Sequence, residues 1–277
     1  ASYALNDTNL VDKDNAESLL ENATNLSEAL IEKEKEIIQN NKNRSQPKYK
    51  GAGDIFNNFS KSVVFIGNRK NNRIVGVGSG FIIKQKGKLR IITNWHVVNN
   101  ADSLSVWTEP SMEVDENYLI SKVDSYSAKL IKENKTKDLA MLEVEGLPVK
   151  VHPVTYGKFT KSLIGKQAYA IGHPNGYLWT FTSGMISQVR PNYQWPYKSS
   201  NHQADVIQMQ VPINPGNSGG PLFNEKEELI GLNTFTTDGE NLNFAIAVSD
   251  VVKFINEKPK PIKKKKSKYI QKKDKGN

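Results

Sequence analysis

Apolar and polar positions are distributed differently in three stretches of the chain. Between Gly53 and Asn256, short apolar runs alternate with Gly, Asn, Asp and Pro: Ser62–Gly67, Ile74–Lys84, Leu89–Thr93, Ser103–Trp107, Ala140–Val144, Gln167–Ile171, Val206–Val211, Leu229–Asn233 and Asn243–Val248. Their length, β-branched content and turn-forming boundaries predict strands of an all-β barrel or sandwich. Ser249–Asn256 is the clearest helical stretch and is expected to close the domain. Residues 1–50 are polar, yet Leu19, Ala23, Leu26, Leu30 and Ile37 recur at spacings of three and four, with Lys33 interrupting the seam. This predicts an amphipathic helix from about Asn15 to Gln39, either an oligomerisation element or a helix lying on the protein's own surface. Residues 257–277 are Lys-rich with almost no apolar content and are expected to be disordered. The division expected is thus 1–50, 51–256 and 257–277.

Charge adds little to this picture once it is located. The net charge of +9 equals the charge of Lys258–Asn277, which holds ten Lys and one Asp. The rest of the chain is close to neutral, so no basic nucleic-acid-binding domain is indicated; the tail could contact an anionic surface. The absence of cysteine removes disulfides and thiolate chemistry. Four histidines without cysteine make a metal site an unfavourable reading, and no cofactor is expected. No apolar run reaches transmembrane length. The start Ala1-Ser2-Tyr3-Ala4 is compatible with a processed, exported protein, in a bacterial periplasm or outside the cell.

The stretch with the most chemical content is Asn214-Pro215-Gly216-Asn217-Ser218-Gly219-Gly220-Pro221-Leu222. A serine between glycines can present its hydroxyl from a tight turn. The N–H groups of the Gly216, Asn217, Ser218 segment, those of Gly216 and Ser218 first, can converge on a developing oxyanion. A serine hydroxyl also needs a base. His96 stands just past the apolar run Leu89–Thr93, where a side chain can enter a cleft. His173 lies in a Gly-His-Pro-Asn-Gly turn, and His152 and His202 lie in polar, solvent-facing segments. Asp138, directly before the strand Ala140–Val144, is the candidate that orients the imidazole. His96, Asp138 and Ser218 follow one of the chain orders known for this chemistry.

Thr93–Val98, Asp138–Leu142 and Asn214–Leu222 resemble the histidine, aspartate and serine boxes of HtrA/Deg-type trypsin-like serine proteases. Gly78–Ile82, Ile171–Pro174, Thr182–Ser187, Ile230–Thr234 and Asn243–Ala247 resemble the intervening segments in the same order. The resemblance implies two six-stranded antiparallel β-barrels of the chymotrypsin type, meeting near Leu147–Val154, with the active site between them. It implies acyl-enzyme hydrolysis of peptide bonds in protein or peptide substrates, unfolded proteins above all, and trimers are common in the family. Only 21 residues follow Asn256, too few for the PDZ domain that usually follows the protease. Pro212 stands where trypsin-like enzymes place an acid. With Ile213, Thr234, Phe235 and Ala245 it is expected to form an apolar pocket for a small or medium aliphatic side chain before the scissile bond. A polar insertion at Glu109–Asn117 and the placement of Trp95 depart from the family pattern. The competing reading is a catalytically silent relative that binds peptides or unfolded chains.

Overall fold

A computed structural model describes residues 24–35, 51–109, 125–147, 151–152, 154–198, 200–239 and 241–259. The chain divides into two units, Ala1–Tyr49 and Lys50–Asn277. In the first, residues 24–35 form helix α1, exposed along its length, with Leu26, Leu30 and Ile31 facing solvent. The remainder of the expected helix, most of the polar insertion and the Lys-rich tail beyond Pro259 lie outside the described residues.

The second unit opens with helix α2 (Ala52–Phe59), whose first turn is held by the Asp54 carboxylate accepting from the Gly51 N–H at 3.0 Å. Six strands then form a closed barrel: β1 (Val63–Lys70), β2 (Arg73–Gln85), β3 (Lys88–Thr93), β4 (Ser103–Thr108), β5 (Tyr126–Asn134) and β6 (Leu139–Val144). Their order around it is β1-β2-β3-β6-β5-β4, antiparallel throughout. Strand β1 shows why its sequence is an unbroken apolar run rather than an alternation. Val64 and Ile66 point into the barrel with Ile82, Ile91, Val106 and Leu142, while Val63 and Phe65 point outward into a second core. Both faces are dry, so polar residues have no place on either.

Seven strands follow: β7 (Thr155–Tyr156), β8 (Gln167–Gly172), β9 (Thr180–Tyr197), β10 (Ser200–Met209), β11 (Pro221–Asn224), β12 (Glu228–Thr236) and β13 (Asn243–Ala247). They form one sheet in the order β11-β8-β9-β10-β13-β12-β7, and an added β11–β12 pairing joins β11 to both β8 and β12. The second half therefore carries one strand more than the six expected; β7 is a two-residue parallel addition to β12. Inside it pack Ala168, Ala170, Ile186, Ile207, Met209, Val211, Leu222 and Ile230.

Between the two sheets runs the largest apolar cluster, with Phe65, Phe81, Ile92, Leu139 and Met141 from the first and Ile171, Phe223, Leu232 and Phe244 from the second. Phe59 of α2 stacks on Phe223 with ring centroids 4.4 Å apart. Burying a side chain of this size contributes about 1.5–3 kcal/mol, so the cluster locks the sheets into one relative position. Helix α4 (Val248–Asn256) follows β13 and inserts Val251 and Phe254 into the same cluster. The Lys132 ammonium of β5 donates to the Phe254 and Glu257 carbonyls at its C-terminal end, where the helix dipole favours a cation.

Candidate active site

Strand β3 ends at buried Thr93, and the chain turns through buried Asn94 into helix α3 (Trp95–Val98). Val97 and Val98 are buried against the first barrel, which leaves His96 facing the cleft. Gly78 allows this arrangement. A Cβ there would lie 2.6 Å from Val97 and 3.2 Å from the Ser218 carbonyl, so only a glycine lets β2 pass between base and nucleophile segments.

Asp138 begins the return into β6 and is wholly buried. Its backbone is left-handed, at φ +54°, a conformation that Asp tolerates better than most residues. The Asn94 amide (3.0 Å) and the Trp95 N–H (3.1 Å) both donate to the Asp138 carbonyl. The carboxylate accepts three hydrogen bonds: Oδ1 from the His96 backbone N–H at 2.9 Å, Oδ2 from His96 Nδ1 at 2.7 Å and from Thr234 Oγ1 at 2.8 Å. A buried carboxylate cannot donate while ionised, so His96 carries its proton on Nδ1 and presents Nε2 as a base.

Ser218 lies in the turn before β11, between Gly216 (φ +106°) and Gly219 (φ +87°). Each is needed: a Cβ on Gly216 would meet the His173 carbonyl at 2.1 Å, and one on Gly219 the Ser79 carbonyl at 2.2 Å. The Ser218 hydroxyl donates to the Thr234 carbonyl at 3.0 Å. The Asn217 N–H is used inside the turn, on the Asn214 carbonyl at 2.9 Å, so it is not an oxyanion donor in this arrangement. The Gly216 and Ser218 N–H groups have no hydrogen-bond partner among the described residues.

The first barrel clamps this turn. Ser79 Oγ donates to the Gly216 carbonyl at 2.8 Å, the Ser79 N–H donates to the Ser218 carbonyl at 2.8 Å, and Thr93 Oγ1 donates to the Ser79 carbonyl at 2.7 Å. Neither Ser79 nor Thr93 was assigned a role from sequence; the signal was the Gly-Ser-Gly run in β2. Thr234, expected in the specificity pocket, bridges Asp138 and Ser218 through its hydroxyl and carbonyl.

The remaining histidines divide clearly. His152 is exposed and edges against Phe59. His173 is fully buried between Phe65 and Trp179, its Nδ1 accepting from the Trp179 N–H at 3.0 Å, and burial pushes its pKa down to about 3. His202 is not solvent-facing as its polar surroundings suggested. It is 1% exposed, beside Trp95 and Trp195, and donates from Nδ1 to the Lys135 carbonyl at 2.7 Å. Tyr197 lies against His96 with ring centroids 4.6 Å apart; burial, and then the Asp138 charge, push its phenol pKa up.

A cleft of about 550 Å³ holds His96, Ser218 and Gly216, with Val75, Val77 and Tyr197 on its walls. Trp95 also lines it, but its indole is largely buried and donates to Glu133 at 3.1 Å. Of the expected pocket residues, Pro212 is exposed, Ile213 and Ala245 pack in the second sheet's apolar core, and Phe235 lies within an aromatic stack. Among the described residues no group of His, Asp and Glu has a metal-holding arrangement, and no helix is long and apolar enough to cross a membrane.

A family model described as a trypsin-like peptidase domain matches residues 78–232. Protease Do-like 1, chloroplastic, of Arabidopsis thaliana is 34% identical over 180 residues, covering 64% of this chain and 38% of that protein. A probable periplasmic serine endoprotease, DegP-like, of Ectopseudomonas mendocina is 36% identical over 174 residues, covering 62% of this chain and 32% of that protein. The chain thus spans about a third of the length of these two relatives. Among solved structures, the serine endoprotease from Yersinia pestis superposes with a TM-score of 0.57 at 27% identity, over 73% of this chain and 64% of that one. Deg5 superposes with a TM-score of 0.56 at 29% identity, over 73% and 90%. With His96, Asp138 and Ser218 brought together at one cleft by two antiparallel sheets, this chain belongs to the trypsin-like peptidases, in their HtrA/Deg branch.

Proposed function

We propose that this chain is a serine endopeptidase that cleaves proteins through an acyl-enzyme. The observation that carries the reading is the orientation of His96. Three hydrogen bonds fix the Asp138 carboxylate, and that carboxylate fixes the imidazole with Nδ1 protonated. The Ser218 hydroxyl rests on the Thr234 carbonyl in the cleft it shares with His96, and the reaction requires it to turn about its Cα–Cβ bond onto His96 Nε2. Ser218 Oγ then bonds to the scissile carbonyl carbon while its proton passes to Nε2. The carbonyl π electrons move to oxygen, and the Gly216 and Ser218 N–H groups receive the resulting oxyanion. Each such donor is worth roughly 2.7–4 kcal/mol. Collapse breaks the C–N bond, the imidazolium protonates the departing amine, and water repeats the sequence on the acyl-enzyme.

The pocket for the residue before the scissile bond is assigned to Pro212, Ile213, Thr234, Phe235 and Ala245. No acidic side chain is among them, and Ile213 and Ala245 continue an apolar core, which supports a preference for small or medium aliphatic side chains. A cleavage profile dominated by Lys, Arg, Asp or Glu at that position refutes it. Protein substrates and export from the cytoplasm are proposed by analogy with the relatives, one called a periplasmic endoprotease and one a chloroplastic protease. Self-association through α1 rests on its exposed Leu26, Leu30 and Ile31; a monomeric mass by light scattering, with full activity, removes that idea. The resting position of the Ser218 hydroxyl is the one feature that favours a silent binder, and casein digestion decides. Wild type must cleave and Ser218→Ala must not; equal digestion by both ends the endopeptidase reading.

A further inference from the structure

Strands β9 and β10 form a long hairpin whose far end leaves the second sheet and reaches the first barrel. The Gln203 N–H donates to the Thr136 carbonyl at 2.7 Å, and His202 Nδ1 donates to the Lys135 carbonyl at 2.7 Å. Both acceptors lie in the segment that leads into Asp138. The end of the hairpin is therefore tied at two points to the element that carries the triad aspartate.

Along β9, Tyr193, Trp195 and Tyr197 stand two residues apart and so share one face. Tyr193 stacks on Phe244 at 5.5 Å, and Trp195 stacks on Phe235 at 4.6 Å. Tyr197 continues this row past the sheet and places its ring on His96, at 4.6 Å and an interplanar angle of 42°. At van der Waals contact, about 3.5–4.0 Å between carbons, nothing fits between the two rings.

Strand β12 shows what that space would otherwise hold. Its pairing with β11 ends at Leu232, opposite Pro221, whereas its pairing with β13 continues through Phe235 and Thr236. On the side toward Ser218, Thr234–Thr236 carry no strand partner among the described residues, an edge on which an extended peptide can add. Ser218 Oγ sits on the Thr234 carbonyl at one end of that edge. A substrate laid there with its scissile carbonyl at Ser218 directs successive side chains to opposite sides. If the residue before the scissile bond points to the Pro212–Ile213 side, the residue before that points toward His96 and meets Tyr197.

We propose that Tyr197 is a specificity-determining residue: its ring, seated on His96, fills the place of the second side chain before the scissile bond and restricts that position to glycine or alanine. The inference rests on the endopeptidase reading. It differs from the pocket for the neighbouring residue, because its wall comes from the β9–β10 hairpin. The tie of that hairpin to Lys135 and Thr136 makes the wall a fixed one.

The test uses internally quenched peptides with one aliphatic residue before the scissile bond and Gly, Ala, Leu or Phe at the position before it. Wild type is compared with Tyr197→Ala and Tyr197→Leu on the full chain. Wild type is expected to prefer Gly and Ala over Leu and Phe by roughly 10–200-fold in kcat/KM, the range that a filled apolar site imposes. Tyr197→Ala is expected to bring the four peptides within about threefold of each other (under 1 kcal/mol), with Tyr197→Leu between. A flat wild-type profile, or one favouring Leu or Phe, overturns the proposal whatever the variants do. So does a small-residue preference that is undiminished from wild type in either variant that folds. Labelling of Ser218 by a serine-directed phosphonate is run in parallel: a labelled enzyme with the wrong profile sinks the subsite alone, whereas an unlabelled, inactive wild type sinks the endopeptidase reading and the subsite with it.

Discussion

Replacing Asp138 by Asn tests the hydrogen-bond logic of the site, because the two side chains match in shape and differ in what they donate. Asp138 offers only acceptors, and every partner is a donor: the His96 N–H on Oδ1, and His96 Nδ1–H and Thr234 Oγ1–H on Oδ2. An amide must turn its NH2 toward one of these groups. Placed at the Oδ1 position it opposes a backbone N–H, which cannot become an acceptor. Placed at the Oδ2 position it faces an imidazole that can move its proton to Nε2 and a hydroxyl that can rotate. The second arrangement keeps the backbone N–H paired and asks only the adaptable imidazole and hydroxyl to change roles, so it is favoured, since an unmet buried polar group costs about 1–3 kcal/mol. Folding is thereby preserved and the base is lost, because Nε2 now carries a proton and points it at Ser218. The expected loss is about 10⁴-fold in kcat, or about 5.5 kcal/mol of transition-state stabilisation at 1.36 kcal/mol per tenfold. KM for an internally quenched peptide should change little, and the thermal midpoint should stay near that of wild type. A kcat within tenfold of wild type, on a folded variant, refutes the argument that Asp138 sets the tautomer.

Four further outcomes follow from the same geometry. Ser79→Ala removes the hydroxyl that holds the Gly216 carbonyl at 2.8 Å and should lower kcat with little change in KM; unchanged kcat would show that the turn holds its shape unaided. Gly216→Ala places a Cβ 2.1 Å from the His173 carbonyl at a left-handed φ, so phosphonate labelling of Ser218 should fall to background in a protein that still folds. His173 has a folded pKa of about 3 against a usual 6.5, so the unfolded chain binds the extra proton between these values and stability falls as pH drops from 6.5 toward 3. Urea unfolding at pH 7 and 4.5 should show wild type losing about 2–3 kcal/mol more than His173→Gln, whereas equal losses would mean that His173 titrates normally. Lys132→Met removes an ammonium held by the Phe254 and Glu257 carbonyls and should cost roughly 1–3 kcal/mol of stability while leaving peptide turnover intact, read by urea unfolding and kcat.

The parts of the fold legible in sequence are those whose signal is local. Strand β1 declares itself because both its faces are apolar, and the nucleophile turn because Gly216 and Gly219 must hold positive φ on either side of Ser218. His96 stands out among four histidines by following the buried end of β3. What stayed hidden depends on residues far apart in the chain. Ser79 and Gly216 are 137 positions apart, Asp138 and Thr234 are 96, and nothing in either neighbourhood announces the contact. His202 was misplaced because its strand begins Ser200-Asn201-His202-Gln203, polar at every position, although Ser200, His202 and Ala204 turn alternately inward. Its burial comes from Trp95 of helix α3 and Trp195 of β9, on the two halves of the domain. The pairing of Thr234 Oγ1 with Asp138 was likewise hidden, and so was the packing of Ile213 and Ala245 into the second sheet's core, because both depend on contacts distant in the chain. Tyr197 carried no sequence signal as a site residue, since its position above His96 depends on the hairpin crossing to the first barrel.

The central claim is that Ser218 is a nucleophile activated by a histidine that Asp138 orients. Incubation with a serine-directed phosphonate, followed by peptide mass spectrometry, tests it most directly. The account predicts a single adduct on Ser218, formed at least a hundredfold more slowly in Asp138→Asn (roughly 3 kcal/mol, the lower part of the loss expected for that substitution) and not at all in Ser218→Ala. Absence of any adduct on Ser218 in the wild type, even with unfolded substrate present, would contradict it.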